Sequence, residues 1–286
     1  MEGESMSDDN ISGGRYSCIP LKWDTDYFGI SCARVILLGA VGEAEQEEIL
    51  SFCRSFDFVT LTNLYNCSEN NFWIGRRTSA FLADVNIQFI KSIDENAVTL
   101  FSKGSFSVGG KCRQEEATDG ISPRRQEWRL ELEAGEIVIC NSLEADLRLL
   151  DMAGKAFKYS RFYNDPFLPA DLAADIYRQW CRDAFMREDK YFAICYREHE
   201  PAAFLLFVPD PADGCRIELV AVGDKYRGKG IGKALLATCE AFCAGQAIGS
   251  IRVGTQADNT AAIRLYLSSG FKYSHCSSIY HLWKRT

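Results

Sequence analysis

The 286-residue sequence has no CxxC pair, few histidines, no long apolar run and no excess of positive charge, and each shortage excludes something. The three histidines (His199, His275, His281) fall at no recognised metal spacing and the twelve cysteines are scattered, so no metal is expected. No apolar stretch approaches the roughly 18 residues needed to span a bilayer. The opening MEGESMSDDNISGG is acidic and small, with neither the basic nor the apolar region of a secretory leader. Reduced thiols, a cytoplasmic location and no membrane partner are the expectation. A formal net charge of −7 argues against wholesale binding of a nucleic-acid backbone.

What is present is a globular composition, 47% apolar and 25% charged. Residues 1–15 are rich in Gly, Ser and Asp and are expected to be disordered. Residues 16–95 read as a small α/β unit. CARVILLG is a buried strand, EAEQEEILSFCRSF an amphipathic helix with an acidic start, and DFVTLTNL and AFLADVNIQFI are further strands. Residues 96–134 are polar and Gly-containing, which fits a linker or surface insertion.

A second unit covers 135–286 in the order β, α, α, β, β, β, α, β, α, β. Its first helix, SLEADLRLLDMAGKAF, places Leu147, Leu150, Met152 and Ala156 at helical spacing, with Ser142 as the expected cap. PADLAADIYRQWCRDAF opens at Pro169, and TAAIRLYLSSG ends at Gly270. Cys239 and Cys243 lie one turn apart on an expected helix.

The stretch GDKYRGKGIGKALL, residues 223–236, joins a strand to a helix. Gly223, Gly228 and Lys229 spell most of a nucleotide-triphosphate loop, but Gly230 stands where a Ser or Thr must hold magnesium. A dinucleotide fingerprint fails as well. Gly228, Gly230 and Gly232 alternate singly, and the next strand, SIRVGTQ, ends in no acid. The pattern Arg227-x-x-Gly230-x-Gly232 resembles the acyl-CoA loop of the GCN5-related N-acetyltransferases. Glycines allow close backbone approach, and successive N–H groups at a helix start attract a pyrophosphate. The resemblance assigns Arg227, Gly228, Lys229, Gly230, Ile231, Gly232 and Lys233 to the coenzyme. It implies a GNAT fold of the α/β (α+β) class, with a mixed, mostly antiparallel sheet flanked by helices and a smaller N-terminal α/β domain.

A second stretch, TQADNTAAIRLYLSSGF, resembles that family's closing strand and helix. Asn259, Ile263 and Tyr266 share one helix face, because seven residues make about two turns. The resemblance makes Asn259 a coenzyme-site residue and Tyr266 the acid that protonates the departing CoA thiolate; a phenol stays neutral at pH 7 and can donate. The plainer reading is an aromatic core residue. LKWDTDYFGISCARV, SRFYNDPFLP and VGTQADNTAAIRLYLSSG together resemble bacterial nucleotide-sugar acetyltransferases of the dTDP-fucosamine (dTDP-4-amino-4,6-dideoxygalactose) kind.

On these grounds the chain is expected to move acetyl directly from acetyl-CoA to the amine of a nucleotide-linked amino sugar. The strand carrying Leu219, Val220, Ala221 and Val222 would pair its backbone with the pantetheine arm, and an N–H near Val220 to Val222 would polarise the thioester oxygen. Period-two counting puts Glu218 on the face of Val220 and Val222, as a base or simply as a solvent-facing acid, with water as the other proton acceptor. Arg161 would hold a diphosphate and Tyr163 stack on a base or sugar, or both belong to an ordinary helix-ending loop. Trp23 and Phe28 line the acceptor cleft or anchor the first strand. An acetyl-cysteine at Cys215 or Cys276 is disfavoured for want of a histidine at motif spacing. The competing functions are acetylation of a peptide N-terminus or other small amine, and a non-catalytic acyl-CoA-binding module. A homodimer through the core sheet is expected by analogy.

Overall fold

The computed structural model describes residues 11–93, 127–132, 135–141, 146–157 and 160–284. All twelve strands join one sheet, in the order β1-β2-β3-β4-β12-β5-β11-β10-β9-β8-β7-β6. The first half of the chain supplies β1 (Ile11–Gly13), β2 (Tyr16–Pro20), α1 (Lys22–Phe28), β3 (Cys32–Leu37), α2 (Glu43–Cys53), β4 (Phe58–Asn63), α3 (Ser68–Arg77) and β5 (Phe81–Ser92). The second half supplies β6 (Glu127–Leu132), β7 (Gly135–Asn141), α4 (Leu147–Ala156), α5 (Ala170–Phe185), β8 (Tyr191–Arg197), β9 (Glu200–Val208), β10 (Cys215–Val222), α6 (Ile231–Gly245), β11 (Ser250–Gln256), α7 (Thr260–Ser268) and β12 (Lys272–Trp283). Among the described strands only β3–β4 and β10–β11 are parallel, so the sheet is mixed and mostly antiparallel.

The two halves repeat one theme. A strand, a crossover helix and a parallel strand (β3-α2-β4, then β10-α6-β11) are followed by a helix and an antiparallel strand (α3-β5, then α7-β12). Each closing strand is delivered to the other half. β5 pairs with β11, β12 pairs with β4, and β5 and β12 pair with each other at the centre. The units expected at 16–95 and 135–286 therefore share a continuous ladder. Residues 11–13 and 127–132, expected to be disordered and linker respectively, are strands at the two edges, because β2 and β7 offer them antiparallel backbone partners.

Three apolar clusters fill the layers. One lies under α6 and α7 and includes Phe89, Leu205, Ile231, Leu235, Val253 and Tyr266. A second lies under α4 and α5 on the opposite face, with Leu149, Phe162, Ile176, Phe204, Leu219 and Ala221. The third, with Val35, Ile49, Leu61 and Trp73, belongs to the first half. Alternating apolar positions of strands and the i, i+3, i+4 stripe of helices account for all three.

Some expectations need correction. α4 starts at Leu147, and its cap is Asp146, whose carboxylate accepts from the Arg148 N–H; Ser142 lies outside the described residues. Leu147 is exposed, and the buried stripe is Leu149, Leu150 and Ala153, a one-residue shift in the packed face. Phe28 holds a strand other than the first, its ring meeting that of Phe58 on β4 at 6.4 Å, while Trp23 holds a helix. Both lie on α1, where Trp23 Nε1 donates to Asp183 of α5 at 2.8 Å and stacks on Tyr27, fastening the first half to the second. Among the described residues, no helix is long and apolar enough to cross a membrane.

Candidate active site

The two parallel strand pairs differ in a way that builds a cleft in only one half. β3 and β4 stay paired over their whole length, from Cys32↔Phe58 to Leu37↔Asn63. β10 and β11 pair only at Cys215↔Ile251, Arg216↔Arg252 and Ile217↔Val253, although β10 continues to Val222 and β11 to Gln256. Beyond Ile217 the strands splay, leaving one edge of Leu219–Val222 without a ladder partner while β9 covers the other. An open strand edge accepts an extended chain as an added strand.

The β9 pairing shifts register between Ile217 and Leu219, a bulge at Glu218. It also reverses the faces of the strand. Cys215 and Ile217 pack on the α6 side, whereas Leu219 and Ala221 pack on the α4–α5 side and Val220 and Val222 return to α6. Period-two counting from Val220 back to Glu218 therefore fails. The Glu218 carboxylate accepts from Lys190 Nζ at 2.6 Å and from Arg216 at 3.0 Å. Burial pushes its pKa up, but the two cations outweigh burial and hold it below the ordinary carboxylate value.

At the mouth of the splay the chain makes a single 3₁₀ turn, Asp224–Tyr226, and enters α6. Gly228 and Gly230 have φ of 73° and 78°, the left-handed region that glycine enters without strain. Gly230 caps α6 with no side-chain partner. From Gly228 to Lys233, no backbone N–H donates to any described residue; the first helical bond is Ala234 to Gly230. These amides form an anion cradle reinforced by the helix dipole. A Cβ added at Gly228 or Gly230 would meet nothing within 4 Å, so space remains above the loop, whereas one at Gly232 would lie 3.2 Å from Leu265 of α7. Arg227 bridges Asp224 at 2.9 Å, and Lys225 and Lys229 flank the Tyr226 ring at 4.9 and 5.6 Å.

The first half contains the counterpart of this loop, closed. Before α2, the Val41 N–H donates to Asn70 Oδ1 at 3.2 Å and the Gly42 N–H donates to Glu45 at 2.7 Å. Asn70 is fully buried and fills the position with its own side chain, donating in turn to Gly39 O at 2.9 Å.

Tyr266 lies on α7 within the cluster beneath α6, with Phe89 and Phe271 rings at 5.8 and 5.9 Å. The residue is 5% exposed, and burial holds the phenol neutral by pushing its pKa up. Its hydroxyl has no hydrogen-bond partner among the described residues. Asn259 caps α7 by accepting from the Ala262 N–H at 3.2 Å. The structure therefore gives Asn259 a definite local task, positioning the helix that carries Tyr266.

Arg161 and Tyr163 stand on the opposite face of the sheet, in the α4–α5 connection. Asn164 fastens this loop to Ala83 O at 3.0 Å, and Asp165 fastens it to His281 Nδ1 at 2.6 Å and Trp283 Nε1 at 3.0 Å. Arg161 Nε is buried without a hydrogen-bond partner, and the guanidinium rides over the Phe162 ring at 4.5 Å. Tyr163 points outward, 40% exposed. The described cysteines are free thiols, and Cys215, disfavoured above as a nucleophile, is fully buried beside Cys239 and Cys243, their sulfurs within 4.8 Å of one another. A cavity of about 380 Å³ lined by Leu50, Arg54, Arg77 and Trp283 lies between the first half and the end of β12, and lacks the amide run and the open strand edge.

Sequence reasoning passed over Asp84 on β5, which is 9% exposed. Asp84 shares a strand face with Asn86 and Gln88, opposite Ile87 and Phe89 in the cluster beneath α6. A lone acid in an alternating strand was the available signal.

Residues 157–271, which contain the splay, the amide run and Tyr266, match the model of the Acetyltransferase (GNAT) family. This segment is a GNAT acetyltransferase domain. The spore coat polysaccharide biosynthesis protein SpsD of Bacillus subtilis (strain 168) is 30% identical over 135 residues, a match spanning 47% of this chain and 46% of that relative. Among solved structures, a conserved protein of unknown function from Staphylococcus epidermidis superposes with a TM-score of 0.57 at 13% identity, covering 99% of this chain and 95% of that one. A tandem GNAT protein from the clavulanic acid biosynthesis pathway gives a TM-score of 0.54 at 10% identity over 90% and 78% of the two chains. The latter two likenesses are likenesses of fold.

Proposed function

We propose that this GNAT chain transfers acetyl from acetyl-CoA directly to the amine of a nucleotide-linked amino sugar in the cytoplasm. The observation that carries the reading is the separation of β10 from β11 beside the undonated amides from Gly228 to Lys233. The donor set suits acetyl-CoA. A pyrophosphate needs several N–H donors at a helix start, and an extended pantetheine needs a free strand edge, here Leu219–Val222.

In this mechanism the amides of Gly228 to Lys233, with Arg227 and Lys229 nearby, hold the pyrophosphate. The unpaired edge of β10 orients the pantetheine, and a β10 N–H near Val220 to Val222 polarises the thioester oxygen. Tyr266, kept neutral by burial, gives a proton to the departing sulfur. Asn259 keeps α7 in register. Glu218, held by Lys190 and Arg216, is a poor proton acceptor and serves to fix the bulge.

The acceptor assignment draws on the SpsD likeness in polysaccharide biosynthesis and on a guanidinium, Arg161, whose buried Nε has no hydrogen-bond partner. The test is isothermal titration of the purified chain with acetyl-CoA, followed by mass spectrometry of a panel of nucleotide amino sugars. Binding and a gain of one acetyl group are expected; failure to bind acetyl-CoA would refute the reading.

A further inference from the structure

Away from the coenzyme cradle, the carboxyl ends of α2 and α3 and the end of β12 enclose the cavity of about 380 Å³. Its volume lies at the small end of the range for ligand cavities, about 300–1,000 Å³. Three cations stand in its wall, Arg54, Arg77 and Lys284, and no carboxylate does. Apolar side chains make up much of the rest, including the rings of Phe56 and Trp283.

The cations are unevenly held by the protein itself. Arg77 donates to Glu47 and to Gln46 Oε1 at 3.1 Å, both on α2 and outside the cavity wall. The Arg54 guanidinium and the Lys284 ammonium make no hydrogen bond or ion pair to any described residue. Asp57 accepts the Lys284 backbone N–H at its carbonyl at 2.9 Å, but its carboxylate accepts from the Ser31 N–H and hydroxyl at 3.0 and 2.6 Å. A plainer role exists for two of the three. Arg54 caps α2 and Arg77 ends α3, where cations answer the exposed carbonyls of a helix end. Lys284 follows β12 and belongs to no helix, yet it joins the same wall. Cations gathered on one wall disfavour one another, and an anion among them removes that cost.

The aromatic part of the wall is fixed. Trp283 donates from Nε1 to Asp165 at 3.0 Å and packs its ring on Phe58 at 4.7 Å, so the indole is held beside the cations. Phe56 is braced by Phe52 at 4.8 Å. Ser79 also lines the cavity, and its hydroxyl has no hydrogen-bond partner among the described residues. A preset flat ring, a free hydroxyl and uncommitted cations suit a ligand with a planar body, a hydroxylated middle and a phosphoryl end.

We propose that this cavity is a second ligand site and that it binds a nucleoside monophosphate. Arg54, Lys284 and Arg77 take the phosphoryl oxygens, Ser79 meets the ribose and Trp283 stacks on the base. The site shares no residue with the cradle from Gly228 to Lys233 and does not depend on the acetyltransferase reading.

The test is isothermal titration of the full chain with UMP and AMP, and with uridine, adenosine and inorganic phosphate as fragments. At least one of the two nucleotides is expected to bind, about tenfold or more tighter than its nucleoside and than phosphate. Arg54→Gln and Lys284→Gln change exposed residues, so both variants should keep the wild-type Tm. Each should weaken the nucleotide about tenfold. Arg54→Lys, which keeps the charge, should recover most of the affinity. Lys229→Gln, in the coenzyme cradle, should leave nucleotide binding unchanged. No binding of either nucleotide by the wild type at millimolar concentration would overturn the proposal. So would unchanged affinity in both Arg54→Gln and Lys284→Gln, or a loss in Lys229→Gln as large as in those variants. Acetyl-CoA binding decides the acetyltransferase reading separately, so either can fail alone.

Discussion

Ile87 is paired with Thr255 of β11 on one side and Cys276 of β12 on the other. A residue from the first half of the chain thus stands between two strands of the second, next to the strand that borders the cleft. Phe89, two residues along, carries the same relationship into the site by packing on Tyr266. The position of the proposed acid therefore depends on an exchanged strand.

Tyr266→Phe should lower kcat by roughly a hundredfold while acetyl-CoA still binds, because the ring keeps its packing and only the proton donor is lost. Steady-state kinetics across pH with a thermal melt checks this. An unchanged kcat in a folded variant would return Tyr266 to a purely structural role.

Gly230→Ala should weaken acetyl-CoA binding about fivefold, because the φ of 78° costs an L residue about 1 kcal/mol and the loop relaxes away from its cradle geometry. Space above the residue is open, so any loss comes from the backbone rather than from a clash. Isothermal titration reads it directly.

Asn259→Ala should cost about 1 kcal/mol of stability, a drop in Tm of roughly 2–4 °C, through loss of the α7 cap. If Asn259 instead touched the coenzyme alone, affinity would fall with no change in Tm.

His281 and Asp165 predict a pH dependence. Burial, outweighing the Asp165 bond, lowers His281 below its ordinary 6.5. Below about pH 6.5 the unfolded chain therefore takes up a proton that the folded one refuses, and stability falls as pH falls. Asp165 is also lowered overall, despite burial pushing it up, because His281, the Phe167 N–H and Trp283 favour its charged form. Its contribution is present above its ordinary 3.8 and is lost as pH falls through the lower folded value. Asp84, raised to about 6, works in the opposite sense between 3.8 and 6. His281→Gln should flatten the slope below pH 6.5 in urea melts, and Asp84→Asn should steepen it. Asp165→Ala, which strands two buried donors, should cost roughly 3–5 kcal/mol.

The second half was legible to a high degree because its signals are local. Gly230 and Gly232 mark a helix start, Pro169 caps α5, and apolar runs bounded by turns gave β7 through β12 in order. α1 and α3 were passed over. α1 is only seven residues long, although Gly29 at φ 69° closes it as a left-handed cap should. α3 is polar, and its buried stripe of Asn70, Trp73 and Ile74 shows only at i, i+3, i+4. The face of Glu218 was misread because a bulge is a property of two strands together.

The reciprocal strand exchange has a consequence for how the molecule is made. As the chain leaves the ribosome, β4 must wait for β12, which emerges after every other described strand. Until then the nascent first half carries a bare ladder edge open to the wrong neighbour, so the polypeptide is most prone to aggregate in the interval before β12 arrives.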